Sequence, residues 1–296
     1  MELKFRNLTL EDKKVFDKVL RYLPEPRGSE FCFPFAFIED VFGTLQICDT
    51  GGMVFVKTKW SERCIFYPPV LTDTAKFGKA INLIELEAQR EGVPLEIRMV
   101  GKAQVDLFDP AKYKVTNDPN YADYIYNTQD LIHLAGKKFH SKRNFITRFY
   151  KTYKNYSFRE YDEKLDRNNI TKLLGKWDVN TVHEKWAVED KLINRALDFH
   201  RELDLKIAVL YVGEILVAFS INYVAGPEVA HTFFEKANTD YIGTYQVINQ
   251  RTAELFFGGT KYINRQGDMG VEGLRKAKLS YKPTELLHKY KVQHHN

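Results

Sequence analysis

The stretch VAHTFFEKANTDYIGTYQVINQRTAELFFGGTKYINR, residues 229–265, decides the fold. VAHTFFEK is rich in β-branched and aromatic residues and reads as a strand. After the loop Ala237 to Ile242, a helix starts near Gly243. Its Tyr245, Ile248, Thr252, Leu255 and Phe256 recur at helical spacing, Gly258-Gly259 ends it, and KYINR is a second strand. Upstream, IAVLYV and ILVAFSINYV flank Gly213-Glu214 as a hairpin, behind a long helix carrying Val188, Leu192, Ala196, Phe199 and Leu203. The order is therefore helix, three antiparallel strands, helix, strand.

The first half shows the same order. Thr9 and Asp12 form a capping-box pattern ahead of Val15, Phe16, Val19, Leu20 and Leu23, and Pro24 stops that helix. TLQICD, MVFVKT and RCIFY read as three strands, the first two joined through Gly51-Gly52. From Thr72 and Asp73 a helix runs with Phe77, Ala80, Ile81, Ile84 and Ala88 inward to Gly92, and the strand LEIRMV follows. Two α+β units of one design are expected, each a mixed, mostly antiparallel sheet flanked by helices. The division is placed at 1–130 and 131–296, with no Gly/Ser-rich linker and hence a shared cleft.

Composition narrows the class. The chain has 296 residues, 44% apolar and 28% charged, the balance of a globular protein. No window offers the run of about 20 apolar residues that a membrane span needs, and the N-terminus lacks the apolar core of a secretory signal, so a cytoplasmic location is expected. Cys32, Cys48 and Cys64 have no metal-ligand spacing and sit among apolar residues; inert thiols and no metal site are expected. The net charge of +5 is modest, but residues 136–155 carry Lys137, Lys138, Lys142, Arg143, Arg148, Lys151 and Lys154 without an acid. An anionic partner and a solvated helix face are both open readings of that run.

In residues 229–265, Gly243 and Thr244 stand where a strand feeds a helix, a place where backbone amides bind a phosphate or an oxyanion. His231 and Glu235 are even-spaced on their strand and are expected to share a face with Phe233, so either is a candidate general base or a satisfied polar residue. Asn264, Arg265 and Asp268 fall at the end of the next strand, where open sheets place ligand contacts, or else serve turn chemistry. Arg275 and Lys278, three apart on a helix, are candidates for phosphate or carboxylate contacts. The chain has no G-x-x-x-x-G-K-[ST], G-x-G-x-x-G, H-E-x-x-H or G-x-S-x-G motif, which argues against nucleotide hydrolysis, dinucleotide redox chemistry and zinc proteolysis.

NYADYIYNTQDLIHLAGKKFHSKRNFITRF (120–149), AHTFFEKANTDYIGTYQVINQ (230–250) and YINRQGDMGVEGLRKAKLSYKPTELLHKY (262–290) together resemble the bacterial family related to the C-terminal catalytic domain of phosphatidylglycerol lysyltransferases. The resemblance spans nearly the whole chain and is strongest in KRN, EKA, NR-x-x-D-M-G and GLRKAKLSY-x-P. That family is similar in turn to tandem GNAT-like transferases, including the Fem peptidyltransferases, which take amino acids from aminoacyl-tRNA. The resemblance implies two GNAT-like units. It places Lys142, Arg143 and Asn144 on an inter-unit helix lining a substrate groove, and His231, Glu235, Asn264, Arg265, Asp268, Arg275 and Lys278 at motif positions of the second unit. One departure concerns the acetyl-CoA loop, which in GNAT proteins has Arg or Gln, two residues, Gly, one residue, then Gly or Ala. Asp240, Gly243 and Tyr245 stand there instead. The membrane-spanning portion of the lipid enzymes has no counterpart in these residues.

Two functions follow as expectations. One is an acyl or aminoacyl transferase acting on an activated ester or thioester, with aminoacyl-tRNA favoured over acyl-CoA as donor, an amine or hydroxyl as acceptor, and no other cofactor. Glu235, His231 and Asp268 would carry the chemistry, with Gly243, Thr244, Tyr245, Asn264, Arg265, Arg275, Lys278, Lys142, Arg143 and Asn144 around the substrates. The other is a non-catalytic RNA- or anion-binding module of the same fold. In either case tRNA is a candidate partner, DNA is not, and peripheral contact with a membrane stays open.

Overall fold

Alternating apolar residues and glycine turns build the elements in much the expected order. A computed structural model describes residues 2–19, 22–23, 25–60, 63–178 and 184–295. It opens with β1 (Arg6–Asn7) and α1 (Lys13–Val19). The Thr9 N–H donates to Asp12 Oδ2 at 2.8 Å just ahead of α1, the reciprocal half of a capping box. Leu20 and Pro24, read as the end of this helix, lie outside the described residues. Next come α2 (Phe33–Glu39), the meander β2 (Leu45–Thr50), β3 (Met53–Trp60) and β4 (Arg63–Phe66), and the short β5 (Val70–Leu71). Helix α3 (Phe77–Glu91) ends at Gly92 and leads to β6 (Glu96–Gly101), α4 (Lys102–Val105) and β7 (Tyr113–Asn117).

The next elements are β8 (Asp123–Asn127), α5 (Thr128–His133), α6 (His140–Thr152), β9 (Tyr156–Glu160), α7 (Glu163–Asp178) and α8 (Glu184–Asp198). The periodicity assigned to α8 continues past its end into Phe199 and Leu203, which lie in turns. The hairpin β10 (Lys206–Val212) and β11 (Ile215–Val224) then feeds β12 (Val229–Ala237), α9 (Thr244–Phe256), β13 (Tyr262–Asn264), α10 (Glu272–Leu279), β14 (Glu285–Leu287) and β15 (Lys289–His294).

Two compact units result. The first contains 1–123, 267–272 and 286–296, and the second 124–266 and 273–285. The sequence reading divided the chain once, between 130 and 131; in the structure β8 and α5 go with the second unit and the C-terminal strand returns to the first.

In the first unit the strands run β1-β2-β3-β4-β6-β15-β7, with β5 on β3. All of its described pairings are antiparallel except β4 with β6, where Phe66 faces Ile97. Under this sheet Phe55, Phe66, Phe77, Ile81, Ile84 and Ile97 form the core. In the second unit the order is β14-β8-β13-β12-β11-β10-β9, and β12 with β13 is the parallel pair. The three cysteines are free and buried, and burial pushes the Cys32 thiol up to about 12 and Cys64 up to about 11, which leaves them protonated and inert at neutral pH. Among the described residues no helix is long and apolar enough to cross a membrane.

Candidate active site

A strand with alternating side chains sends residues 231 and 235 to one face, and here a bulge overturns that expectation. Asn222 of β11 lies opposite Thr232, and Ile221 lies opposite Phe234, so Phe233 is an extra residue in β12. His231 faces Tyr223 and Glu235 faces Ser220, three residues apart on a partner strand that alternates normally. His231 and Glu235 therefore point to opposite sides of the sheet. His231 sits with Phe233, ring centroids 6.2 Å apart, and is 1% exposed. Lys236, on the side away from Glu235, pairs with Glu189 of α8 at 2.6 Å.

The Glu235 side carries a dense polar cluster. β12 pairs with β13 only from Val229 to His231, so between Thr232 and Ala237 its edge away from β11 meets no strand among the described residues. Arg265, just past β13, closes the wedge and donates to Glu235 Oε1 at 2.9 Å. Asn249 of α9 donates to the other oxygen at 3.1 Å. The Arg265 guanidinium lies 5.1 Å from the Tyr281 ring centroid and 5.8 Å from that of Tyr126, within range of cation–π attraction. Burial works against its charge, but Glu235 and the surrounding tyrosines hold it above the usual arginine value.

Lys142 of α6 joins this cluster. Its Nζ lies 4.1 Å over the Tyr281 ring and donates to Ser280 Oγ at 2.6 Å. Burial, and then the Arg265 charge, lower its affinity for a proton. Lys278 donates to the carbonyls of Arg265 and Gln266 at 2.6 and 3.0 Å, and Tyr126 donates to the Lys278 carbonyl at 2.9 Å. Tyr245 stands one turn before Asn249 on α9, and burial pushes its hydroxyl up to about 12, partly offset by the backbone of Ala237. Among the buried polar atoms of this unit that have no hydrogen-bond partner are the Tyr281 hydroxyl, Asn249 Oδ1 and the Thr252 hydroxyl. Buried polar atoms without a protein partner mark places where a ligand or water completes the bonding.

Other expected site residues have local employment. Gly243, in the left-handed region at φ +81°, is the residue before α9 and is buried. A Cβ there would lie 2.4 Å from the Phe145 carbonyl oxygen, so α6 covers the helix start. Thr244 turns its hydroxyl to the carbonyls of Asn238 and Tyr241, and the Ile242 N–H donates to the Tyr153 hydroxyl at 3.1 Å. Arg143 donates to the carbonyls of Leu134 and Gly136 and so fastens the turn before α6. Asn144 contacts His140 at 3.1 Å on the exposed face. Asn264 accepts from the Gln266 N–H at 2.7 Å. Asp268 groups with the first unit, where it accepts from the Gly270 N–H at 2.8 Å, and Arg275 is half-buried on α10. Asn249, Thr252, Tyr126 and Tyr281 were not picked out as site residues; the helical spacing of Tyr245, Asn249 and Thr252 was the available signal.

A strand, a parallel partner and a helix between them, present with the same strand order in both units and with the strand bulged in the second, define a tandem GNAT-like α+β protein. The model for the C-terminal region of phosphatidylglycerol lysyltransferase matches residues 32–293, and the chain belongs to that family. A crystal structure of a conserved protein of unknown function from Bacteroides thetaiotaomicron is 28% identical, with a TM-score of 0.91 over 99% of this chain and 100% of that one. The structure of L-PGS from Bacillus licheniformis is 15% identical, with a TM-score of 0.63 over 95% of this chain and 91% of its own, a likeness of fold. Among curated sequences, the uncharacterized protein MYCGA3080 of Mycoplasmoides gallisepticum is 26% identical over 173 residues, which is 58% of this chain and 56% of that protein. The match thus spans about half the length of that relative.

Proposed function

We propose that the chain transfers an acyl or aminoacyl group from an activated ester, with aminoacyl-tRNA as the favoured donor, to an amine or hydroxyl acceptor, in the wedge between β12 and β13. The observation that carries this reading is the Glu235–Arg265–Asn249 network beside three buried polar atoms without protein partners. Family membership supports the lysyl group as the transferred class and a phospholipid hydroxyl as one acceptor.

In this reading the donor carbonyl lies against backbone amides of the unpaired β12 edge, which stabilise the developing oxyanion. Each carboxylate oxygen has two acceptor positions, so Glu235 can still take the proton of the nucleophile after bonding Arg265 and Asn249, directly or through water; as the nucleophile bonds the carbonyl carbon the ester C–O bond breaks, and that proton goes to the departing hydroxyl oxygen of the donor. Arg265 fixes the carboxylate, and Lys142 adds a second cation for an anionic part of either substrate. His231, on the opposite side of the sheet, is set aside as the base. A cytoplasmic location accords with such a donor.

Acyl-CoA is the less favoured donor, because a pyrophosphate cradle needs free amides at the start of α9. The Phe145 carbonyl occupies the space beside Gly243, and Asp240 offers no cation. The same closure favours the second reading, an anion-binding module without catalysis.

The test is to mix the purified chain with aminoacyl-tRNA or acyl-CoA and to offer phosphatidylglycerol vesicles or short amine peptides. Transfer from aminoacyl-tRNA, slowed roughly 10²–10⁴-fold by Glu235→Gln at nearly unchanged donor affinity, is the expected result. Donor binding without transfer to any acceptor would support the module instead, and transfer from acyl-CoA alone would overturn the choice of donor.

A further inference from the structure

Residues 136–155 hold the chain's whole excess of positive charge, and the transfer site uses only Lys142 of them. Seven of the 44 basic side chains fall in this segment and no acid does, so the other 37 face all 39 acids. An excess gathered in so short a stretch attracts anions to one place. Four of the seven cations have local employment. Lys142 lies over Tyr281, Arg143 bonds the Leu134 and Gly136 carbonyls, Lys138 pairs with Asp130 at 2.7 Å, and Lys154 donates to the Tyr150 carbonyl at 3.0 Å. Lys137, Arg148 and Lys151 are exposed and meet no acid among the described residues.

The helix screw sorts these groups. Phe139, just before α6, and Ile146 and Phe149 within it are buried. Opposite them His140, Asn144, Arg148 and Lys151, at i, i+4, i+8 and i+11, form one exposed row, with Ser141 and Thr147 beside it. At about 1.5 Å of rise per residue the row is about 16 Å long. The phosphates of one strand advance by roughly 3 Å each along a nucleic-acid helix, so the row is long enough to meet several. Phe145 flanks it, 36% exposed, with the Arg148 guanidinium 6.0 Å from its ring centroid.

We propose that the outer face of α6 is the docking surface for the sugar–phosphate backbone of the donor RNA, with Lys137, Arg148 and Lys151 against phosphates. This rests on the reading of the donor as an aminoacyl-RNA and adds where its body is held. Ser141, Asn144 and Thr147 supply uncharged hydrogen-bond groups suited to phosphate and ribose oxygens. A membrane surface fits less well, because a helix that lies on one sinks a broad apolar face into it, and Phe145 is the lone apolar side chain on this exposed side. Phe145 also stands three residues after Lys142, whose Nζ lies 4.1 Å over the Tyr281 ring beside Arg265. An RNA held along the row therefore brings its end past Phe145, where an unpaired base can stack, toward the Glu235–Arg265 network.

The test is fluorescence anisotropy of the whole chain with labelled, uncharged bulk tRNA, titrated between about 50 and 200 mM salt. Binding on the order of 1 µM is expected at the low end. Replacing Lys137, Arg148 and Lys151 together by Ala should flatten the log–log salt slope by about two to three units and weaken binding at least about tenfold. Replacing Lys4, Lys79 and Lys114, exposed cations of the first unit, removes the same charge and should move the slope by less than about one unit. Phe145→Ala should keep the slope and weaken binding at least about fivefold, the least that a lost base stack costs. Equal losses in the two triple variants, an unchanged slope in the α6 variant, or no binding of tRNA overturns the proposal. So does α6-dependent binding to phosphatidylglycerol vesicles with none to tRNA. The outcomes separate from those of the transfer reading: tRNA held through α6 without transfer to any acceptor leaves this surface standing and removes that reading. Transfer undiminished in the α6 variant at limiting aminoacyl-tRNA does the reverse.

Discussion

The two units repeat one plan but use it differently. Position by position, β1-β2-β3-β4-β6-β15-β7 matches β9-β10-β11-β12-β13-β8-β14, with the parallel pair in the same place. In the first unit, α3 turns Phe77, Ile81, Ile84 and Ala88 to the sheet, and its one buried charge, Glu87, meets Lys57 at 2.6 Å. In the second, the corresponding α9 places Asn249 against Glu235, which Arg265 also holds, and Asn249 Oδ1 and the Thr252 hydroxyl of that helix are left without partners. Apolar packing is enough to sustain the frame. The unsatisfied polar atoms on the α9 side are therefore not a requirement of the fold, and they point to use.

The largest expected effects test that contrast through the buried ions. Lys289→Ala in the first unit leaves Glu30 and Asp123 together without their cation, and Arg265→Ala in the second strands Glu235. Each should cost about 3–5 kcal/mol, read from urea midpoints. If the comparison holds, transfer per folded molecule survives Lys289→Ala and is lost in Arg265→Ala. Equal loss in both would break the assignment of chemistry to the second unit.

Glycines give the next test. Gly243→Ala must hold φ +81° and place a Cβ 2.4 Å from the Phe145 carbonyl, so a cost of about 2–3 kcal/mol is expected. Gly78, at the start of α3, has open space where its Cβ would go, and Gly78→Ala should stabilise by about 0.5–1 kcal/mol. Thermal melts of the two variants should move in opposite directions. A neutral Gly243→Ala would mean that α6 does not cover the α9 start, and it would reopen that site to a phosphate.

Much of this frame was legible in local sequence, because the β2–β3 and β10–β11 hairpins, α3 and α9 depend on periodicity and turn chemistry within about fifteen residues. The strands that complete the sheets, among them β7, β8, β9, β14 and β15, were not legible. β15 pairs with β6 some 190 residues earlier, roughly the span from Glu96 to Lys289, and such pairing has no local signature. The bulge at Phe233 is one unpaired residue, invisible to an alternation count, yet it reverses every face assignment beyond it. The pairing of Arg265 with Glu235 joins residues 30 positions apart, and the sequence reading assigned Arg265 no acidic partner.

Smaller effects sharpen the meaning of the leftover polar atoms. Tyr281→Phe removes a buried hydroxyl that has no hydrogen-bond partner, so stability should stay level or rise by up to about 1 kcal/mol. Transfer should nevertheless fall, because the hydroxyl would be satisfied only when substrate is bound. Unfolding curves beside single-turnover rates separate the two. A large loss of stability would show that the hydroxyl has a structural partner, and unchanged turnover would remove Tyr281 from the site.

The smallest expected effect concerns Glu39 in the first unit. Desolvation raises its carboxyl from 4.5 to about 7 although the residue keeps an exposed surface, whereas Glu91, bonded to Lys57 and Lys59, is held down to about 2. The signs therefore oppose. Glu39 binds its proton more tightly folded than unfolded, so its contribution to stability is present below about 4.5 and is lost as pH rises through 7. The groups around it are Glu30, Asp40 and Tyr67, with Asp123 and Lys289 behind, and solvent reaching Glu39 screens the effect. Calorimetric melts at pH 5 and pH 8 on the wild type and Glu39→Gln isolate this one group, since every other titration is common to both. The wild type should lose more melting temperature between the two values than the variant does. Identical losses would mean that Glu39 titrates as an ordinary surface carboxylate, and the contrast between an ion-paired and a desolvated acid within the first unit would fail.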